Sequence, residues 1–218
     1  SESGSNVAYS RQVNTTSGFA IIKYTGLGSV AAVIHGMGAT PAFFTVKRLT
    51  GSGWSWYTYH HKNTSSPNTE NLYLNNTDAT ADMDTVWNDQ YPSSTETKIG
   101  TNGGVNADGV EYIMYAFTPI QGYSKFGTYT GNGTGSSADF DGPFVYTGFK
   151  PAWVTVKSVD AVGNWATHDN KRDTTMNPSD DVLYPSTSGA EATGKMDFLS
   201  NGFKLRNSYD DLNENGVK

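Results

Sequence analysis

The sequence predicts an all-β protein: two tandem antiparallel β-sandwich units, jelly-roll-like, with little helix. Three observations carry the prediction. Aromatic residues make up 13% of the 218-residue chain against 17% charged, and rings and β-branched side chains suit half-buried pleated surfaces. Turn formers are frequent, with 24 Gly and 8 Pro, so the apolar content is cut into short runs between tight turns. The third is repetition. Pro41-Ala42-Phe43-Phe44-Thr45-Val46-Lys47 is answered by Pro151-Ala152-Trp153-Val154-Thr155-Val156-Lys157, and a word of this length returning further along a chain marks an internal repeat.

Other pairs keep the same order. Gly18-Phe19 and Tyr24-Thr25-Gly26 precede the first word as Gly122-Tyr123 and Tyr129-Thr130-Gly131 precede the second. Trp56 then answers Trp165, Leu72-Tyr73-Leu74 answers Val182-Leu183-Tyr184, and Asn106-Ala107-Asp108-Gly109-Val110 answers Asn213-Glu214-Asn215-Gly216-Val217. The implied organisation is an N-terminal extension at 1–13, repeat A at 14–120 and repeat B at 121–218. The residues at the join, Thr118-Pro119-Ile120-Gln121, are too few for a flexible linker, so one larger sandwich built from both copies stays open.

Within repeat A, Ala20 to Tyr24 reads as a strand before Gly26, and Ala42 to Lys47 as another before Gly51-Ser52-Gly53. Trp54 to His60 alternates rings with small polar residues, as a half-buried strand does. Pro41 and Pro151 fix φ and lack an amide donor, so each starts its strand. Ala79 to Trp87 is the one stretch with a helical turn in prospect. Asn102-Gly103, Asn132-Gly133, Asn201-Gly202 and Asn215-Gly216 supply the residues that tight hairpins need.

The copies differ at their ends. Repeat A runs on from Gly109-Val110 into Glu111-Tyr112-Ile113-Met114-Tyr115-Ala116-Phe117, a buried-strand pattern, whereas repeat B reaches Gly216-Val217-Lys218. Truncation of a longer chain, completion by a neighbouring subunit's strand, and an open sheet edge are the three readings.

Formal charge is −6, with the 15 Lys and Arg scattered singly, which leaves no basic stripe for nucleic acid. No apolar stretch approaches the length of a membrane span, and the start Ser1-Glu2-Ser3-Gly4-Ser5 has no signal-peptide character. The absence of Cys removes disulfides, thiolate metal sites and thiol nucleophiles.

Candidate chemistry is sparse. His60, His61 and His168 lack a ligand spacing, and strand alternation accounts for them, so no metal site is predicted. Asp139-Phe140-Asp141-Gly142 lacks EF-hand spacing and reads as an acidic turn. Asp169, Asp173, Asp180 and Asp181 read as loop solvation. No Gly-x-Ser-x-Gly elbow, Ser-His-Asp set or fixed carboxylate pair is evident. Gly26-Leu27-Gly28 and Gly131-Asn132-Gly133 have no helix after them to cradle phosphate. No cofactor is implied.

The aromatic set Trp54, Tyr57, Tyr59, Trp87 and Tyr91 is the candidate ligand surface, because exposed rings cover the CH faces of sugars. Strand alternation puts Trp54 and Trp56 on one face and Tyr57 and Tyr59 on the other. The recurrence of Trp56 as Trp165 assigns the tryptophan face to the core and leaves Tyr57 and Tyr59 outward.

Gly122-Tyr123-Ser124-Lys125-Phe126-Gly127-Thr128-Tyr129-Thr130-Gly131-Asn132-Gly133, then Asp141 to Ala152, Phe198 to Arg206, and Thr101-Asn102 to Phe117 in repeat A resemble a duplicated β-rich domain of uncharacterised function. That domain occurs in tailed-bacteriophage virion and tail-fibre-like proteins, often alongside concanavalin-like lectin modules. The resemblance covers nearly all of 15–218. It implies a non-enzymatic virion surface component, a tail-fibre-like adhesive segment that meets a host glycan and assembles with other virion subunits, as a homo-oligomer. It carries no catalytic motif, and its copies end with the strand that repeat B lacks. A purely structural capsid or tail decoration protein and a polysaccharide-degrading enzyme are the alternatives.

Overall fold

The computed structural model describes residues 5–134, 141–173, 177–208 and 210–218. It is all-β, with three one-turn helices, and divides into two compact units. The first unit takes Ser1–Leu74 and Thr80–Gly127, the second Asn75–Ala79 and Thr128–Lys218. Among the described residues no helix is long and apolar enough to cross a membrane.

In the first unit the strands are β1 (Ser5–Asn6), β2 (Ala8–Asn14), β3 (Phe19–Thr25), β4 (Ala31–Ile34), β5 (Phe43–Arg48), β6 (Trp56–His60), β7 (Glu70–Tyr73) and β8 (Ala81–Asp82). Helix α1 (Asp84–Trp87), β9 (Glu96–Ile99), helix α2 (Gly103–Asn106) and β10 (Glu111–Phe117) complete it. One sheet runs β2-β3-β10-β5-β6-β7-β8, antiparallel throughout; the other runs β1-β4-β9, with β1 parallel to β4. The core draws on both sheets and both helices: Ala20, Ile22 and Tyr24 of β3, Val33 of β4, Ile99 of β9, Tyr112, Met114 and Ala116 of β10, Trp87 and Val105. Every second residue of β3 and β10 is buried, the period of a sheet wet on one face. The first thirteen residues, expected as an extension, contribute β1 and most of β2, and β2 forms the sheet edge beside β3.

In the second unit β11 (Phe144–Tyr146), β12 (Trp153–Lys157), β13 (Trp165–Asp169), β14 (Ser179–Val182), β15 (Ala192–Leu199), β16 (Gly202–Leu205) and helix α3 (Asp210–Asn213) follow. They form a sheet ordered β11-β16-β15-β14 and a β12-β13 pair, over a core of Val154, Val156, Ala166, Val182, Met196, Phe198, Phe203, Leu205 and Leu212.

Each unit is tied shut by a buried asparagine. Asn106 Oδ1 accepts the Leu27 amide at 2.8 Å, and its Nδ2 donates to Ser29 O at 2.7 Å and Gly100 O at 2.6 Å. Asn213 Oδ1 accepts the Asn132 amide at 2.9 Å, and its Nδ2 donates to Thr134 O at 2.6 Å and Asn207 O at 2.9 Å. Around each hub Tyr24 donates to Val105 O at 2.6 Å and Tyr129 to Leu212 O at 2.5 Å. The backbone approach is so close that a Cβ on Gly26 would stand 2.3 Å from Ala107 O, and one on Gly131 2.1 Å from Glu214 O. Gly26→Ala and Gly131→Ala are each expected to cost about 2 kcal/mol, the usual scale of overpacking. A denaturant midpoint unchanged by either substitution would refute that close approach.

Two local expectations are corrected. Of the four Asn-Gly pairs, only Gly133 and Gly216 take positive φ. Asn102 instead caps α2, its side chain accepting from Gly104 N at 2.8 Å, and Gly202 lies inside β16, leaving Ser200-Asn201 as the turn. Asparagine serves helix starts as readily as hairpins, and the dipeptide does not separate the two.

Candidate functional site

The five aromatic candidates split on folding. Tyr57, Tyr59 and Trp87 are core side chains at 7%, 2% and 1% exposure, while Tyr91 is 59% exposed. The expected orientation of β6 is therefore reversed. Tyr57 and Tyr59 stand opposite Val46 and Phe44 of β5, and residues directly opposed on antiparallel strands share a face. Of the two tryptophans that recur in the sequence, Trp165 is buried at 5% exposure and Trp56 only half-buried. Trp56 pairs across from Lys47 and Trp165 across from Lys157, with Lys47 Nζ lying 5.9 Å from the Trp56 ring centroid. Both tryptophans thus stand in lysine–tryptophan cross-strand pairs. Trp87 sets its indole edge-on to Phe44 at 4.8 Å and donates Nε1 to Glu70 O at 3.0 Å. Trp54 is half-buried, with the Arg48 guanidinium 4.7 Å from its ring centroid.

Two of the five come together in a cleft of about 290 Å³ in the first unit, lined by Thr40, Pro41, Ala42, Tyr59, His61, Tyr91 and Pro92. Its walls come from the segment entering β5, the end of β6, and the loop after α1. Burial, helped by the neighbouring Tyr91, pushes the Tyr59 phenol up to about 12, so it keeps its proton at all physiological pH. His61 faces the Phe126 carbonyl at 3.2 Å. A carbonyl can only accept, so Nε2 carries the hydrogen there and Nδ1 is the acceptor. Burial lowers the His61 pKa, opposed by that carbonyl and reinforced by Lys62, which favours the neutral ring. The cleft thus joins an exposed aromatic face and two prolyl rings to hydroxyl and imidazole groups. Rings so placed can cover an apolar face of a ligand while the hydroxyl and imidazole groups meet its polar atoms.

A second cleft, about 550 Å³, lies in the second unit between Thr77, Val162, Gly163, Asn164, Tyr184, Thr193 and Asp211. The Asp211 carboxylate is engaged there by the Asn164 amide at 2.5 Å and its side-chain Nδ2 at 3.0 Å. Nearby, burial lowers the Lys157 ammonium to about 8, against the pull of Asp211 and Asp78, while its Nζ donates to Ser158 O at 2.5 Å. No sequence motif marks this cleft, because its polar groups come from five separate segments.

The remaining candidates resolve into local structure. His60 Nδ1 accepts the Lys62 amide at 3.2 Å, and His168 belongs to the other unit. Among the described residues no group of three His, Asp or Glu side chains is placed to hold a metal ion. Asp169 is clamped by Arg172, which also reaches Glu191, and the Asp180 amide donates to Asp173 Oδ2. Asp139 and Phe140 lie outside the described residues, and the Asp141 carboxylate pairs with Lys204. In the two Gly-x-Gly turns the Leu27 and Gly28 amides are bonded to Asn106, and the Asn132 and Gly133 amides to Asn213, which leaves none of these four for a phosphate.

The model of a family described as a domain of unknown function, DUF7483, matches residues 2–218, and the chain belongs to that family. No curated protein and no solved structure matches the chain.

Proposed function

We propose that this member of the DUF7483 family is a non-enzymatic surface component of a tailed-bacteriophage particle, a tail-fibre-like segment that contacts a host glycan through the Tyr91 cleft. The carrying observation is the meeting of Tyr91, at 59% exposure, with Tyr59, His61, Thr40 and Pro92 around one opening. The sequence resemblance to virion proteins supplies the particle, and the cleft supplies the chemistry. Tyr91→Ala is expected to weaken binding on an array of bacterial surface glycans about tenfold, the weight of an aromatic anchor. Tyr123→Ala, an exposed ring outside the cleft, should leave it unchanged. Wild-type protein that binds no bacterial glycan on the array would sink the reading.

The two units are, on the same reading, copies of one fold. Support comes from the matched asparagine hubs, the matched tyrosine-to-carbonyl bonds, and the threonine pairs that bridge the two hairpins. Thr45 meets Thr58 and Thr155 meets Thr167, each at 2.9 Å between hydroxyl oxygens.

A further inference from the structure

The Tyr91 cleft is graded from rim to floor. Tyr91 and Thr40 are exposed, His61 is half-buried, and Pro41, Ala42, Tyr59 and Pro92 are buried. The His61 amide donates to Ala42 O at 2.9 Å, which draws the entry to β5 against the end of β6 and sets Pro41 and Ala42 beside the two polar side chains.

Two polar atoms at the floor await a partner. Tyr59 is 2% exposed, and its hydroxyl makes no hydrogen bond among the described residues. A buried phenol normally finds one. This oxygen is not sealed from solvent, so it opens into the cleft that Tyr59 lines. Beside it, His61 commits Nε2 to Phe126 O, and its Nδ1 acceptor has no donor among the described residues. The floor therefore offers one donor, one acceptor and an apolar patch of a methyl and two prolyl rings.

That combination narrows the ligand. No Lys, Arg, Asp or Glu lines the cleft, so a carboxylate, phosphate or ammonium would enter without a counter-charge. A lone hydroxyl would satisfy the polar atoms and leave the apolar patch wet. A secondary amide carrying a small alkyl group supplies all three contacts, and the Tyr91 ring at the rim remains for the CH face of the ring that bears it.

We propose that the cleft selects an N-acetylated amino sugar. Its acetamido carbonyl accepts from the Tyr59 hydroxyl, its N–H donates to His61 Nδ1, and its methyl lies on Pro41, Ala42 and Pro92. This names the sugar class for the Tyr91 cleft and rests on the glycan reading.

The test keeps the 218-residue protein and varies the ligand. Methyl glycosides of N-acetylglucosamine and N-acetylgalactosamine are titrated beside those of glucose and galactose, with saturation-transfer and amide-shift NMR as readouts. In at least one pair the acetamido sugar should bind about tenfold more tightly than its hydroxyl counterpart, the scale of one hydrogen bond plus a buried methyl. Its methyl protons should take up the most saturation. Tyr59→Phe removes only a hydroxyl that bonds nothing in the protein, so it should keep the wild-type denaturant midpoint and reduce the preference to about threefold. Methyl glycosides of the free amines need no variant, and they should bind no better than the hydroxyl sugars. Equal binding within both pairs, or a preference that Tyr59→Phe leaves intact, overturns the inference; the glycan reading then stands if Tyr91→Ala still weakens binding on the array. Wild-type protein that binds no glycan at all removes both.

Discussion

Asn106→Ala is expected to destabilise the first unit by about 3 to 4 kcal/mol, since three buried side-chain hydrogen bonds go at about 1 kcal/mol or more each. The side chain is fully buried, so the Leu27 amide and the Ser29 and Gly100 carbonyls would lose their partner away from water. Asn106→Asp should be worse, because a carboxylate oxygen would replace the donor that faces two carbonyls. Asn213→Ala should match Asn106→Ala in the second unit. Urea unfolding with Ser52→Ala, at an exposed position, as a surface control expected within about 0.5 kcal/mol of wild type, measures all four. Hub variants as stable as the control would remove the asparagines as the closures of the fold.

The second large effect is acid lability through His168. The residue is fully buried, neither ring nitrogen has a hydrogen-bond partner among the described residues, and burial, with Arg172 adding to it, lowers its pKa from 6.5 to about 4. The unfolded chain therefore takes up a proton between pH 6.5 and 4 that the folded chain refuses. Stability is complete above about 6.5, falls as pH drops, and levels off below 4, a loss of about 3 kcal/mol. His35 and His61 are also lowered by burial and add to the same slope. His168→Leu should be flatter than wild type between pH 7 and 4 in denaturant titrations, and parallel curves would exclude His168 as the cause.

The fold class was legible because strand alternation and turn residues act locally, and β3, β5, β6 and β10 fall where the apolar patterns put them. The helical turn near Trp87 also formed, as α1. Facing was harder. Alternation says that Trp56 and Tyr57 point opposite ways but not which way is inward, and that depends on the register with β5. The Trp56–Trp165 recurrence did not decide it, because Trp165 is buried at 5% exposure while Trp56, also across from a lysine, is only half-buried. The cleft was half legible: Tyr59 and Tyr91 were among the candidates, but His61, Thr40 and Pro92 join them through strand pairing and loop closure. The asparagine hubs stood in the sequence as a matched word, yet a buried Asn looks like a turn Asn until its distant partners, 77 to 81 residues away, are in place.

That separation has a consequence for synthesis. The longest hub bonds span 79 residues in the first unit and 81 in the second, so each unit waits for nearly its last turn before its first turn can be secured. Loop closure on this scale slows folding. As the polypeptide leaves the ribosome, β3 and β5 emerge well before β10, which parts them in the finished sheet, so their edges stay unpaired until the chain has run on to the Asn106 turn. Slower translation across residues 60–110 is therefore expected to lengthen the time for which those edges wait for β10.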